Sequence, residues 1–235
     1  MRHDFSATHI RNSVEVSLRR LKTDYIDLYQ LHSPPLELLS WDEVISTLEL
    51  LKQEGKIRLF GISARSPGDA KTAVERFGFS VVQVNFNLID HRAMDDGLFE
   101  ICRQKNVGVI VRTPLCFGFL SGELTGDEEF LDRDHRANWP REQLRRWAKA
   151  PQLFMPLNKD KKRTLVQLAL KFCLSDGCVS TVIAGMMTGD EVRENVAAAD
   201  LPPLTQRELK TIRGIYRSHA FYDSSIKQEA LRAKD

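Results

Sequence analysis

The chain has 235 residues, 42% hydrophobic and 28% charged, with 13 Gly and 9 Pro, which is the make-up of an ordinary globular domain rather than a disordered, collagenous or disulfide-stapled one. Its 34 Lys and Arg against 32 Asp and Glu leave a net charge of +2, so nothing in the charge asks for a nucleic acid or an anionic membrane as partner. No apolar run approaches the ~20 residues that span a bilayer, MRHDFSATHIR is no signal peptide, and Cys102, Cys116, Cys173 and Cys178 form neither a CxxC pair nor a metal spacing, so a cytoplasmic chain with reduced thiols and no metal is expected.

Residues 9–21 place Ile10, Val14, Leu18 and Leu21 at helical spacing, with Ser6 or Thr8 as cap. YIDLYQLH (25–32) reads as a strand ending before Pro34-Pro35. A helix follows in WDEVISTLELLKQEGK, capped by Ser40 and stopped by Gly55. IRLFGIS (57–63) is a second strand, and 66–78 a helix with Ser66 as cap and Pro67 at its first position. SVVQVNF (80–86) is a strand, 93–106 a helix and VGVIVR (107–112) a strand. The rhythm then breaks from Thr113 to about Asp160. KKRTLVQLALKFCLSDG is helical, VSTVIAG (179–185) a strand, DEVRENVAAAD a helix, and 205–219 a last helix.

Five strands that are apolar nearly throughout, each followed by a helix, predict a parallel sheet covered by helices. The pattern fits an open doubly wound sheet or part of a (β/α)8 barrel, which takes about 250 residues for eight units. No repeat or composition shift divides the chain, so residues 1–235 are expected to form a single domain.

Active sites of parallel α/β folds lie at the C-terminal ends of the strands. The polar residues there are His32 and Ser33, Ser63, Gln83 with Asn85 and Asn87, and Arg112 with Thr113; Gly185 precedes Met186-Met187. An isolated His is more often structural than catalytic, and Gln83 and Asn87 could tie down loop backbone. Arg112 at the end of an apolar strand needs a carboxylate, an aromatic face or a ligand as partner. Cys116 is expected to be a buried small hydrophobe. The clusters 90–92 and 133–136 carry both signs of charge and are expected to be solvated loop. REQLRRWAK (141–149) and KDKKR (159–163) are locally basic without making a nucleic-acid surface. The motifs GxGxxG after a strand, GxxxxGK[ST], GxSxG and HExxH do not occur, which removes Rossmann, P-loop, α/β-hydrolase and zincin readings.

Five segments carry something more specific: SLRRLKTDYIDLYQLHSP (17–34), GKIRLFGIS (55–63), VVQVNFNLID (81–90), VGVIVRTPLCFGFLSG (107–122) and IAGMMTGDEVRENVAAAD (183–200). In this order and spacing they resemble the aldo-keto reductases, over essentially the whole chain. The resemblance implies a (β/α)8 barrel that binds NADPH without a Rossmann fold and passes hydride to a carbonyl. It also implies an Asp, Tyr, Lys and His catalytic set, of which only the His falls here, as His32. The other three belong to the first three βα units of the family, so the resemblance implies an N-terminally truncated barrel of about five units.

On the cofactor side, Ser63 and Gln83 match residues that hold the nicotinamide amide, with Ala64 where the family has Asn. Arg112 matches a Tyr that stacks on the nicotinamide ring, and Arg can stack as well. Thr113, Leu115, Gly118 and Gly122 fall in the pyrophosphate loop, and Glu194 and Asn195 match adenine contacts. After Gly185 stand Met186 and Met187, where members that bind the 2′-phosphate put Arg, Lys or Ser. NADP follows from the family, whereas an apolar pair cannot neutralise a phosphate and favours NAD.

Three readings follow: an oxidoreductase acting on a small carbonyl or imine, impaired or atypical for want of most of its catalytic set; a non-catalytic nucleotide-binding or regulatory protein; or a fragment of a longer reductase. Edge strands near 25–32 and 179–185 would expose unpaired backbone, so a homodimer covering those edges is expected.

Overall fold

The computed structural model describes residues 4–39, 42–158 and 163–222. A five-stranded sheet has the order β1 (Ile26–His32), β2 (Ile57–Ser63), β3 (Val81–Asn85), β4 (Gly108–Arg112), β5 (Val179–Val182). Sequential neighbours pair in parallel, and helices fill the crossovers, as an α/β chain of this pattern requires. β1 and β5 are the edges, as expected, and β5 ends three residues before the sequence pattern does. Contacts divide the chain into two compact units: residues up to Val84 with Arg92–Ile110, and Asn85–His91 with residues from Val111 on.

In the first unit, α1 (Ala7–Leu21) starts at Ser6, whose side chain accepts from the His9 N–H, and buries Ile10, Val14 and Leu18. Pro34-Pro35 ends β1, and a four-residue turn of helix that the sequence does not announce, α2 (Leu36–Leu39), follows it. α3 (Asp42–Gln53) buries Val44, Thr47, Leu48 and Leu51 and is stopped at Gly55, whose φ of +73° suits glycine. The expected cap Ser40 lies outside the described residues. α4 (Pro67–Phe77) begins with Ser66 accepting from the Asp69 N–H and ends at Gly78, in the left-handed conformation. Phe60 and Ile62 of β2 are buried with Val82 and Val84 of β3, Phe60 meeting Phe79 edge-on at 5.3 Å. Each such side chain contributes roughly 1.5–3 kcal/mol of burial. The expected helix over 93–106 is in fact two pieces, α5 (Arg92–Asp95) and α6 (Leu98–Gln104), because Gly97 takes φ +76° between them.

The second unit holds the segment that read as irregular. It contains 3-10 turns at Cys116–Ser121 and His135–Asn138, and a 14-residue helix, α7 (Arg141–Phe154). α7 buries Leu144, Trp147, Ala150 and Phe154, an i, i+3, i+6, i+10 stripe, while its arginines face outward. α8 (Leu165–Cys173), α9 (Gly189–Ala197) and α10 (Gln206–Ser218) each start with a Thr capping box, at Thr164, Thr188 and Thr205. Arg163 and Glu208 form a buried ion pair at 2.6 Å, and Glu208 also accepts from the N–H and hydroxyl of Thr205.

One expectation is corrected here: residues 90–92 are not solvated loop, since Asp90 and His91 are 1% and 0% exposed. His91 lies between Tyr216, 3.9 Å away ring to ring, and Phe172, at 4.8 Å, with Phe86 alongside. In 133–136, Arg133 and His135 are exposed as expected, while half-buried Arg136 forks onto Asp134 and lies over the Phe130 ring. All four cysteines are buried thiols outside any disulfide, Cys116 included. Among the described residues, no helix is long and apolar enough to cross a membrane.

Candidate functional site

The residues singled out from the sequence fall into three groups, one on the strand ends of the first unit and two in the second unit.

In the first unit, the parallel register sets His32 beside Ser63 and Ser63 beside Gln83, so the last residues of β1 and β2 and the middle of β3 form one row. Side chains two residues apart on a strand share a face, and Gln30, paired with Gly61, therefore joins the row one step further back. Ser63 is buried and donates its hydroxyl to Gln83 Oε1 at 3.2 Å; Gln83 Nε2 in turn donates to Gln30 Oε1 at 3.4 Å. His32 is exposed at the end of the row. The strands turn away from it in a fixed manner: Ser33, at φ +54°, donates its N–H to the Ser63 carbonyl, Arg65 donates to the Ser33 carbonyl, and Ala64 N–H donates to the Gln83 carbonyl. Gly61 is required by close approach, because a Cβ there would lie 2.8 Å from the Val81 carbonyl oxygen.

In the second unit, β4 ends at half-buried Arg112, and burial lowers its pKa from the ordinary guanidinium value. Thr113 follows at φ +52°; its hydroxyl donates to the Arg112 carbonyl, and its own carbonyl accepts from Asn87 Nδ2 at 2.9 Å. Asn87 also accepts from the Ile89 N–H, the loop-tying role its position suggested. The Leu115 carbonyl accepts from both the Gly118 and Leu120 N–H groups, at 3.0 Å each. Cys116, Phe117, Gly118 and Gly122 all have positive φ, so the chain from Thr113 to Gly122 is a tight, left-handed winding loop. Within it the N–H groups of Cys116, Gly118, Leu120 and Gly122 donate to carbonyls of the same loop. Burial drives the Cys116 thiol well above its ordinary pKa, which makes it an inert packing group.

The third piece begins at Gly185, which is exposed and has open space where a side chain would be. Met186 and Met187 follow, 47% and 91% exposed. Glu191 accepts from the N–H groups of Met187 and Thr188, closing the start of α9. One turn on, the Glu194 carbonyl accepts from Gln167 Nε2, and Asn195 Nδ2 donates to the Gly185 carbonyl at 3.4 Å. This piece and the left-handed loop share a cluster in which Leu115, Val182 and Ala184 meet Val166, Leu170 and Ala198. The structure thus groups His32, Ser63 and Gln83 in one unit, and Arg112, Thr113, Leu115, Gly118, Gly122, Gly185, Glu194 and Asn195 in the other.

Two residues were missed in the sequence. Gln30 could have been found from the period-2 face it shares with His32. Arg136, whose Nη1 donates to the Phe117 carbonyl and lies beside Gly118, carries no local signal, because the loop that brings it back has no regular pattern.

A family model described as the aldo/keto reductase family matches residues 1–217. The chain belongs to this family, a group of NAD(P)-dependent oxidoreductases. It is 32% identical to an uncharacterised oxidoreductase, YqkF, of Bacillus subtilis over 92% of this chain and 70% of that protein. It is 31% identical to an NADH-specific methylglyoxal reductase of Escherichia coli over 84% of this chain and 61% of that one. Among solved structures, the holo form of aldo-keto reductase AKR11C1 from Bacillus halodurans superposes with a TM-score of 0.71 at 32% identity, over 94% of this chain and 71% of that one. The glycerol dehydrogenase AKR11B4 of Gluconobacter oxydans gives 0.79 at 28% identity, over 94% and 68%. The chain thus spans about 60–70% of the length of these relatives.

Proposed function

We propose that the chain binds a nicotinamide dinucleotide and takes part in hydride transfer between it and a small carbonyl compound or an imine. The observation that carries this reading is the row of His32, Ser63 and Gln83 on adjacent strand ends. Its chemistry fits the cofactor: a carboxamide presents one carbonyl acceptor and two N–H donors, and Ser63 with Gln83 offers both kinds of partner. Gly118 and Gly122 take positive φ and keep side chains off this loop, which leaves room beside it for a pyrophosphate, while their own N–H groups are given to the Leu115 and Phe119 carbonyls. The dinucleotide, when bound, supplies or accepts the hydride.

In this reading Ser63 and Gln83 hold the nicotinamide amide, and Arg112 stacks its guanidinium on the ring. Thr113, Leu115, Gly118 and Gly122 take the pyrophosphate, and Gly185, Glu194 and Asn195 the adenosine end. His32, exposed at the end of its row, orients the carbonyl oxygen. NAD is preferred over NADP, since exposed Met186 and Met187 offer a 2′-phosphate no charge and Glu191 sits beside them. A second copy covers the edge strands β1 and β5.

A second, non-catalytic reading rests on the tyrosines. Tyr25 lies under the Arg58 guanidinium, Tyr29 is tied to Ser13, Tyr216 stacks on His91, and Tyr222 packs against Trp147. Each has a structural task, and burial raises the Tyr29 pKa rather than making it a better acid. Turnover by these residues alone is therefore slow, by the ~10²–10⁴ that a proton donor supplies. Titration of the folded chain with NADH and NADPH, followed by tryptophan fluorescence, tests both readings. Saturable binding with NADH favoured supports them, and a folded chain that binds neither overturns them.

A further inference from the structure

We propose that Tyr222 is a positioning residue, which clamps the left-handed loop from Thr113 to Gly122 in the form that receives the dinucleotide. The inference rests on the nucleotide-binding reading above and deepens it.

The loop needs a hold from outside itself. Thr113, Cys116 and Phe117 have φ values of +52°, +45° and +58°. Residues with a Cβ are unfavourable there and persist only where their surroundings over-determine them. Thr113 is held by Asn87, whose Nδ2 donates to its carbonyl. Cys116 and Phe117 are held from the far end of the described residues, which stop at Tyr222. The Tyr222 side chain hydrogen-bonds to the Cys116 thiol, and its ring meets the Trp147 ring edge-on at 5.6 Å. Trp147 packs in turn against Phe117 at 5.6 Å and Phe119 at 5.7 Å. The buried Trp147 indole N–H has no hydrogen-bond partner among the described residues, so ring packing keeps this side chain against the loop. Tyr222 therefore reaches the loop twice, directly at Cys116 and through Trp147 at Phe117. Arg136 adds a third hold, a long 3.4 Å bond to the Phe117 carbonyl.

The backbone before Tyr222 is fixed where the clamp requires it. Gln143 and Arg146 of α7 donate to the Phe221 and Ala220 carbonyls at 2.8 and 3.2 Å, and Phe221 is buried. Trp147, on the next turn of α7 from Gln143, then meets the residue that follows. An aliphatic side chain at 222 would pack against an indole as well as a phenol does. The phenol is explained by its two ends, an apolar ring for Trp147 and a hydroxyl for Cys116. A loop that is open part of the time binds its ligand with an affinity reduced by the closed fraction, which is how Tyr222 acts on a dinucleotide it does not touch.

The test reads the loop and the ligand separately, on the full chain. Labelling with iodoacetamide, with the adduct located by mass spectrometry, reads the loop: Tyr222→Ala uncovers Cys116 and leaves Cys102, Cys173 and Cys178 buried. Cys116 should react at least about tenfold faster than in the native chain while the other three stay slow, and saturating NADH should slow it again. Calorimetric titration reads the ligand. NADH affinity should fall about tenfold in Tyr222→Ala. It should fall only about threefold in Tyr222→Phe, which keeps the ring on Trp147 and loses one hydrogen bond. A merely structural role predicts either native NADH affinity in the folded variants or all four thiols reacting together in both. Each of these results overturns the proposal while the nucleotide reading stands. If the folded native chain binds no NADH, the nucleotide reading itself fails and the proposal fails with it.

Discussion

Arg213 Nη1 lies 2.9 Å from Nδ1 of His91, a fully buried imidazole. A guanidinium has only donors, so the imidazole must accept and is neutral. Burial, with help from the nearby Arg213 and Arg217 charges, lowers the His91 pKa from 6.5 to about 3. An unfolded chain protonates this group below about pH 6.5 and the folded one does not. Folding stability is therefore fully present above pH 6.5 and is lost progressively as the pH falls from there toward 3, by up to a few kcal/mol. Urea unfolding at pH 7.0, 5.5 and 4.5 should show the decline. His91→Asn should be less stable at pH 7 and show a shallower slope over this range; an equal slope in the variant would assign the effect to other groups.

The Arg163–Glu208 pair, with both side chains 7% exposed, ties the start of α8 to that of α10. Removing either partner strands a buried charge. Arg163→Met is expected to cost about 3–5 kcal/mol, and a double variant with Glu208→Gln should recover part of that loss. Chemical denaturation of the two singles and the double measures the coupling. Additive losses would show that the two side chains do not interact energetically.

At the strand end, Gly61→Ala forces β2 and β3 apart, because the new methyl meets a carbonyl oxygen and not a flexible side chain. A loss of roughly 1–3 kcal/mol in stability is expected, as for other overpacked sites. Because Ser63 and Gln83 sit two residues further along the same pair of strands, nucleotide affinity should fall as well. A variant with native stability and native affinity would show that the sheet accommodates the methyl without cost.

Met187→Arg places a cation at a 91% exposed position beside Gly185. NADPH affinity should rise about tenfold or more relative to NADH, the usual worth of a charge-assisted contact to a phosphate. Competition binding of the two nucleotides reads the ratio directly. An unchanged ratio would locate the adenosine end of the ligand away from this turn.

Much of the scaffold could be read from the chain because its signals are local. β2 runs over 57–63 as its apolar run does, and Ser66 with Pro67 and Gly78 bounds α4 to the residue. The row of His32, Ser63 and Gln83 was legible because it lies at strand ends, where parallel sheets keep their chemistry. The interrupted helix at 93–106 was not, since Gly97 costs only about 1 kcal/mol in a helix and does not by itself announce a break. α7 was obscured by its arginines, although Leu144, Trp147, Ala150 and Phe154 carry a helical stripe. The burial of His91 could not be foreseen: the rings that enclose it come from Phe172 and Tyr216, more than 80 residues further on. The hydrogen bond from Gln83 to Gln30 spans 53 positions and follows from sheet register alone.

The four cysteines lie at 0%, 1%, 0% and 7% exposure, and burial raises the thiols of Cys116 and Cys173 far above the thiolate range. A chain built this way comes with its own chemical silence toward maleimides and iodoacetamides. A single cysteine introduced at Val196, 63% exposed and next to Asn195, would thus be the fast-reacting thiol without removal of any native one. A fluorophore coupled there would sit beside the proposed adenosine contact and report its occupancy in real time.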